Sequence, residues 1–421
     1  MKNFKNIEKE RDKFRILDKK TYFLSASTAA IPDYIFYAVK EEQERRFYEG
    51  GNSIWNNMNT LEMIDWSKKE IAKMISAKAE NITFGDNSSR MLNIFANGIS
   101  LKKGDNIIIS EDSFISNKYI WQLKENVGVN IKYIKTNTGY FDKNSVINLI
   151  DEKTKVVSIC YCESCNGFKV NLKEIGEVCK EKKIYLCVDA VQAMGNIPID
   201  VNEMNISFLV GNDYKWMFGF GGTGFAYISD NLLNKIEQYS VGWMSDKERF
   251  NTSKKRLELR SDASRFEIGL PNTTGIYTMG LAAERYNSLG KLDIDMYIRE
   301  IKMYLISRLE ENRYIKLKYN FGIDFTGGIF YLIPKEKIYE LYEFLEKKNI
   351  LLELSEDSLR ISIHYFNNKK DIDILLEAVD EFYSQEEEKN VSYWKKIIGK
   401  RNWTIIRVYA YSKLCKCAER W

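Results

Sequence analysis

Reactive side chains stand at the ends of apolar runs at three places in this sequence. Lys215 lies in "LVGNDYKWMFGFGGTGFAYIS", residues 209–229, just past one such run and next to Trp216. A lysine sheltered by aromatic rings has its pKa pulled below about 10.4, which makes it a usable nucleophile and base; a lysine out in water is neither. Asp189 follows the run Ile-Tyr-Leu-Cys-Val. A carboxylate there is poorly solvated and needs a cation or a hydrogen-bond donor, unless it sits on a surface turn. Asn87-Ser88-Ser89 stands between a strand-like and a helix-like stretch. Its hydroxyls and the helix N–H groups either cap the helix or make an anion site. The residues after Lys215 also contain GxGxxG at Gly219, Gly221 and Gly224. A dinucleotide loop needs a helix to open there, whereas Phe-Ala-Tyr-Ile-Ser is a strand-forming run. The glycines therefore read as a tight turn behind the lysine.

The elements that must position these groups alternate in type. Asn-Ile-Thr-Phe (81–84), Asn-Ile-Ile-Ile-Ser (106–110), Val-Val-Ser-Ile-Cys (156–160), Ile-Tyr-Leu-Cys-Val (184–188) and Ile-Ser-Phe-Leu-Val (206–210) read as strands. Met91, Leu92, Phe95 and Ile99 follow helical spacing, and Leu172–Lys180 reads as another helix. Such alternation predicts an α/β fold with a largely parallel sheet covered on both faces, its ligands beyond the carboxyl ends of the strands. After about residue 278 the pattern changes to long helices, Leu281–Leu289 and Ile294–Leu309, and then to strand-like runs at 328–332 and 359–363. That predicts a large domain over 20–278 and a smaller α+β domain over 279–384, with 1–19 packed on it. Gln-Glu-Glu-Glu-Lys-Asn (385–390) reads as a solvated linker into a tail, 385–421.

Composition narrows the chemistry. Hydrophobic residues make up 44% and charged residues 29% of 421 positions, as in ordinary globular proteins. No apolar run is long enough to span a bilayer, and the first residues have no apolar segment of the signal-peptide kind. Seven cysteines, five of them between Cys160 and Cys187, suit a reducing cytoplasm better than a disulfide framework. Residues 391–421 hold eight Lys or Arg and one Glu, a net +7, which leaves −3 on the rest of a chain whose total is +4. The body therefore gives no reason to expect nucleic acid. The single histidine, His364, excludes multi-histidine metal sites and leaves proton transfer to Lys, Asp, Glu, Tyr or Cys.

Together, the anion cradle, the carboxylate and the lysine match pyridoxal 5'-phosphate. That cofactor needs a phosphate site, an acid to keep its ring nitrogen protonated and an amine for a Schiff base. The segments "VDAVQAMGNIPIDV" and "LVGNDYKWMFGFGGTGFAYIS", with Lys215 26 positions after Asp189, resemble the class V aminotransferase family of fold-type I pyridoxal-phosphate enzymes. That family includes cysteine desulfurases, selenocysteine lyases and isopenicillin-N-epimerase-like proteins. The likeness covers roughly residues 20–384, including "RFEIGLPN" (265–272) and "LRISIHYFNNKKDID". It implies a mostly parallel seven-stranded type of sheet, an α-amino acid substrate and a homodimer. It further implies that Lys215 forms the Schiff base, Asp189 pairs with the ring nitrogen and Gln192 bonds the phenolic oxygen. Ser88 and Ser89 would bind the phosphate, with Asn212 and Tyr214 close to it. Phe114 would lie against the ring, and Arg360 would take the substrate carboxylate through a bidentate pair. His364 is then structural.

The sequence also departs from the family. The family's desulfurases carry a loop cysteine shortly before the carboxylate arginine, and Asn349–Leu359 holds none. Aminotransferase or C–S lyase chemistry is therefore ranked ahead of two others, a desulfurase with a non-standard cysteine and a Cα epimerase. A scaffold protein keeping the fold is the non-enzyme alternative. Cys160, Cys162 and Cys165 lie near the expected site, and no fourth ligand for a metal can be named, so no metal is expected. Ser164 replaces the family's Asn, and Leu270 replaces a Thr that reaches the neighbouring subunit. The basic, Trp-containing tail falls outside the resemblance; a lipid surface, a protein contact or an unstructured extension are its readings.

Overall fold

The computed structural model describes residues 4–50, 58–136 and 139–398. Strand β1 (Thr21–Tyr22) is followed by the seven strands of the central sheet. These are β2 (Ile82–Gly85), β3 (Asn106–Ser110), β4 (Asn130–Ile134), β5 (Thr154–Cys160), β6 (Tyr185–Asp189), β7 (Phe208–Asn212) and β8 (Gly224–Ile228). Their order is β2-β8-β7-β6-β5-β3-β4. Neighbours from β7 to β4 are parallel, and β8 is antiparallel to both β7 and β2. The predicted strands at 184–188 and 206–210 are displaced by one and two residues. The displacement makes Asp189 and Asn212 the last residues of their strands.

Side-chain alternation explains why these strands are apolar throughout. Ile107, Ile109, Val156, Phe208, Val210 and Ala226 belong to one core, under the helices Ser88–Gly98 and Ile115–Gln122. Ile108, Val157, Leu186, Leu209 and Phe225 face the other way into a second core, shared with the helices Met58–Met74, Leu172–Glu181 and Thr273–Leu289. With both faces covered, polar groups collect at the strand ends.

A smaller antiparallel sheet comprises β9 (Ile315–Leu317), β10 (Ile329–Pro334), β12 (Glu353–Leu354) and β13 (Leu359–Ser362), in the order β12-β13-β10-β9. Strand β11 (Ile350–Leu351) instead pairs in parallel with β1, which ties the segment before the central sheet to this later unit. Further back along the chain, Arg11 reaches the carboxylate of Asp371 at 2.8 Å and Phe14 packs on Phe366. The expected linker at 385–390 is not one: the helix Lys369–Ile398 runs straight through it. Part of its charge is paired with other elements even though Glu387, Glu388 and Lys389 stay exposed: Glu386 meets Lys337 and Lys389, and Glu387 accepts from Tyr314 Oη at 3.1 Å. Residues 399–421 of the tail lie outside the described residues.

One buried ion pair locks the helix Met58–Met74 to the edge of the main sheet. Lys68 Nζ lies 2.8 Å from Glu267 Oε1 and 2.6 Å from Ser264 Oγ, and the same carboxylate oxygen accepts from Phe84 N in β2. Removing one member of such a pair strands the other without water. Lys68→Ala is expected to destabilise the fold by about 3–5 kcal/mol in urea unfolding, with Lys68→Met/Glu267→Leu recovering much of the loss.

Candidate active site

The strand registers bring the polar ends to one edge. Cys160 lies opposite Asp189, while Asn212 and Gly85 both lie opposite Gly224. The loop from Asp213 to Thr223 rises from this edge and carries Lys215. Its shape is held from within: the buried Asp213 accepts from Gly221 N through Oδ2 (3.0 Å) and from Gly219 N through its carbonyl (2.8 Å). A Cβ on Gly219 would lie 2.6 Å from Asp213 Cβ, and Gly221 and Gly222 have φ of 92° and 81°. Burial pushes the Asp213 carboxyl up to about 6. Phe218 also has positive φ, 57°, an uncommon conformation for an aromatic residue, with its ring stacked 4.6 Å from that of His364. His364 accepts from Tyr365 N at Nδ1 (2.8 Å), so its proton sits on Nε2 and is donated to the Trp216 carbonyl (3.1 Å). Burial drives its pKa down to about 3. The histidine is a neutral prop beneath the lysine loop.

Lys215 is partly buried, and its Nζ lies 5.8 Å from the ring centres of both Phe114 and Tyr214. Burial lowers its pKa; the charge of Asp189 opposes that shift, and Arg360 adds to it. No hydrogen bond or ion pair to its amine is present among the described residues. Asp189 is buried, and among the described residues only its Oδ1 is engaged, by Val191 N at 3.0 Å. Burial raises its pKa, with the Val191 bond and Lys215 pulling the other way. Gln192 donates from Nε2 to the Ala26 carbonyl (3.1 Å) and accepts from Trp216 Nε1 (2.8 Å). An indole only donates and a carbonyl only accepts, so the amide orientation is settled and one N–H stays available.

Ser88 and Ser89 open the helix Ser88–Gly98, which Asn87 caps by accepting from Arg90 N (2.8 Å). A Cβ on Gly224 would lie 2.5 Å from the Asn87 carbonyl carbon and 2.7 Å from Ser88 N, so β8 starts against the helix end. Ser89 Oγ donates to Ser116 Oγ at 2.8 Å, which adds a hydroxyl that the sequence reading missed. Phe114 stands half-exposed directly before the helix Ile115–Gln122, and Asn212 is buried at the end of β7. Tyr214 is partly buried and accepts from Ala29 N (3.0 Å) at its carbonyl. Arg360, in β13, lies farther along the chain but within electrostatic reach of Lys215.

Two further acids escaped the sequence reading. Glu163 is fully buried, and neither oxygen makes a hydrogen bond of ordinary geometry, although the Cys160 thiol and Ser110 hydroxyl face it. Burial raises it to about 8, so it holds its proton at neutral pH. Glu353 pairs with Arg360 and accepts from Ser27 Oγ. The nearby buried thiols are protonated too: burial lifts Cys162 to about 12 and raises Cys160 well above the ordinary thiol value, whereas Cys165 is exposed. Among the described residues no group of three or more His, Cys, Asp or Glu could hold a metal.

An under-bonded buried acid, an unbonded amine and a hydroxyl-lined helix start closed by glycine fit a phosphorylated, cationic aldehyde. Comparison with known proteins agrees with that chemistry. The chain is similar to a probable cysteine desulfurase of Methanothermobacter thermautotrophicus, 24% identical over 90% of this chain and 98% of the relative. It is also similar to the uncharacterized aminotransferase YcbU of Bacillus subtilis, 23% identical over 89% and 96%. Similar solved structures include the apo cysteine desulfurase of Thermococcus onnurineus, with a TM-score of 0.79 and 20% identity over 89% of this chain and 97% of that one. Another is the cystine C-S lyase C-DES in complex with its reaction product cysteine persulfide, with a TM-score of 0.79 and 20% identity over 87% and 99%. The model of the aminotransferase class-V family matches residues 21–375, most of the length over which the fold and the site have been described, and the chain belongs to that family.

Proposed function

We propose that the protein is a pyridoxal-phosphate enzyme that acts on an α-amino acid by aminotransferase or C–S lyase chemistry. The observation that carries this reading is the Lys215 amine, unbonded and charge-coupled to the buried Asp189 across one sheet edge. In this assignment Lys215 holds the cofactor covalently, and Asp189 keeps its ring nitrogen protonated. The remaining Gln192 N–H meets the phenolic oxygen. Ser88, Ser89 and the helix start hold the phosphate, with Asn212 and Tyr214 beside it, and Phe114 lies against the ring. When bound, the cofactor supplies an electron sink for the substrate Cα. Lys215, with its basicity lowered by burial, then carries the proton to or from that carbon, and Arg360 holds the α-carboxylate.

The shape of the β12–β13 turn supports release of sulfur without a loop persulfide. Glu353 and Leu354 pair directly with Arg360 and Leu359, and Ser355 N donates to Ser358 O at 2.8 Å. Only four residues make that turn, and none is cysteine. The protein is further proposed to be a cytoplasmic homodimer. The five described cysteines are unpaired, and the exposed Phe220, Ile268 and Leu270 offer apolar surface to a second copy. Among the described residues no helix is long and apolar enough to cross a membrane.

Lys215→Ala is expected to lose both the visible absorption of bound cofactor and its covalent trapping by borohydride, with turnover falling at least about 10²–10⁴-fold. Gly224→Ala, by pushing the helix start outward, is expected to weaken cofactor binding about tenfold (about 1.4 kcal/mol) in equilibrium titration. The rate of cofactor capture requires an unprotonated amine, so it should rise with pH and reach half its plateau below the ordinary lysine value of about 10.4. Because the negative charge of Asp189 raises the Lys215 pKa, Asp189→Asn should move that midpoint toward lower pH. A midpoint that stays put or rises contradicts the assigned coupling.

A further inference from the structure

The arginine assigned to the substrate carboxylate is already partnered by its own chain. Glu353 in β12 lies directly across from Arg360 in β13. Its Oε2 accepts from Arg360 Nη2 and from Ser27 Oγ, and the same Nη2 also donates to Ser27 Oγ. The Arg360 side chain is only 14% exposed while that of Glu353 is 41% exposed, so the acid forms the outer side of the pair, toward solvent. On the opposite flank of Arg360 is Tyr331 in β10, whose hydroxyl is committed to the Ser164 carbonyl at 2.7 Å. The charges that reach Lys215 are those of Asp189, Arg360, Glu353 and Cys160. Cys160 holds its proton, which leaves two acids against Arg360 and the lysine itself.

We infer that Glu353 is a specificity-determining residue: by neutralising Arg360 it admits amino acids with neutral or cationic side chains and rejects those with a second carboxylate. A guanidinium has five N–H donors, and engaging Nη2 still leaves donors for one carboxylate. An α-carboxylate can therefore dock beside Glu353. A second carboxylate on the same substrate meets the exposed acid with the cation already shared, and like charges at such range repel. A side-chain ammonium in the same place gains a partner. Sequence spacing gives no hint of this arrangement, because it arises from a cross-strand pair and from Ser27, more than three hundred residues away along the chain.

This inference rests on the proposed function, with Arg360 as the carboxylate anchor, and cofactor uptake distinguishes the failure of that function from a failure of the role of Glu353. Spectral titration of the cofactor-loaded protein with L-alanine, L-aspartate and L-2,3-diaminopropionate gives a dissociation constant for each without requiring turnover. The wild type should bind aspartate at least about tenfold more weakly than alanine, and diaminopropionate no more weakly than alanine. Glu353→Gln, which keeps the shape and removes the charge, should reduce the alanine–aspartate gap to within about threefold, and Glu353→Asp should restore the wild-type order. An unchanged order in Glu353→Gln, or wild-type protein that binds aspartate as tightly as alanine, overturns the role of Glu353. If the protein takes up no cofactor, the proposed function fails. Calorimetric titration of the cofactor-free protein with propionate and succinate then decides the role of Glu353. A preference for propionate lost in Glu353→Gln supports it, and equal behaviour of the two proteins overturns it.

Discussion

The attraction between the Lys215 amine and the Asp189 carboxylate is the constraint around which the rest of the structure is arranged. Each group is removed from bulk water, and burial works against the charged form of both. Among the described residues each lacks the full set of partners that a buried charge normally has, since Asp189 uses one oxygen and Lys215 makes no hydrogen bond. Groups left in this condition lower stability, and a fold retains them where a ligand or a reaction uses them. The sheet places the acid at the end of β6 and the amine just beyond the end of β7, on adjacent parallel strands whose faces are entirely occupied by the two apolar cores.

Precision at the lysine comes from its surroundings. The loop that carries it turns inside a cage of backbone bonds to Asp213, and its aromatic residues lie on a neutral histidine supplied by the segment after β13. Trp216 is bound at both ends, its carbonyl to His364 and its indole to Gln192. Gln192 is in turn fixed to Ala26, so residues from three remote parts of the chain share the task of holding one loop. Such dense second-layer bonding keeps a reactive group in a single geometry. It also explains why GxGxxG here serves a turn and not a phosphate: Gly219 gives way to Asp213, and Gly224 lets β8 pass against the start of the helix Ser88–Gly98.

The electrostatics of the recess divide into inner and outer acids. Asp189 is the inner, buried one, and Glu353 is the outer, half-open one against Arg360. Burial pushes Glu163 and the buried thiols of Cys160 and Cys162 toward their neutral forms, and nearby acids push the thiols the same way. The recess thus sets two basic groups, Lys215 and Arg360, against two acids, Asp189 and Glu353, and any ligand that enters must replace an existing interaction or match it.

Much of this was legible along the chain because it is carried by local pattern. Apolar runs at 106–110 and 156–160 marked strands correctly, and a charged residue directly after such a run identified Asp189. The spacing from Asp189 to Lys215, with the glycines behind it, was enough to suggest the family and the cofactor. Local pattern also misled at 385–390, where consecutive acids resembled a solvated linker; their partners Lys337 and Tyr314 lie on other elements, and the helix continues. Ser116 beside Ser89, Glu353 against Arg360 and the unpartnered Glu163 could not be read from order alone. Sequence determines which residues follow an apolar or polar rhythm, and hence the strands, helices and strand-end groups. Which groups meet across strands, and which of them burial leaves without water, is decided only when the elements pack, because desolvation and charge pairing depend on distance through space and not along the chain.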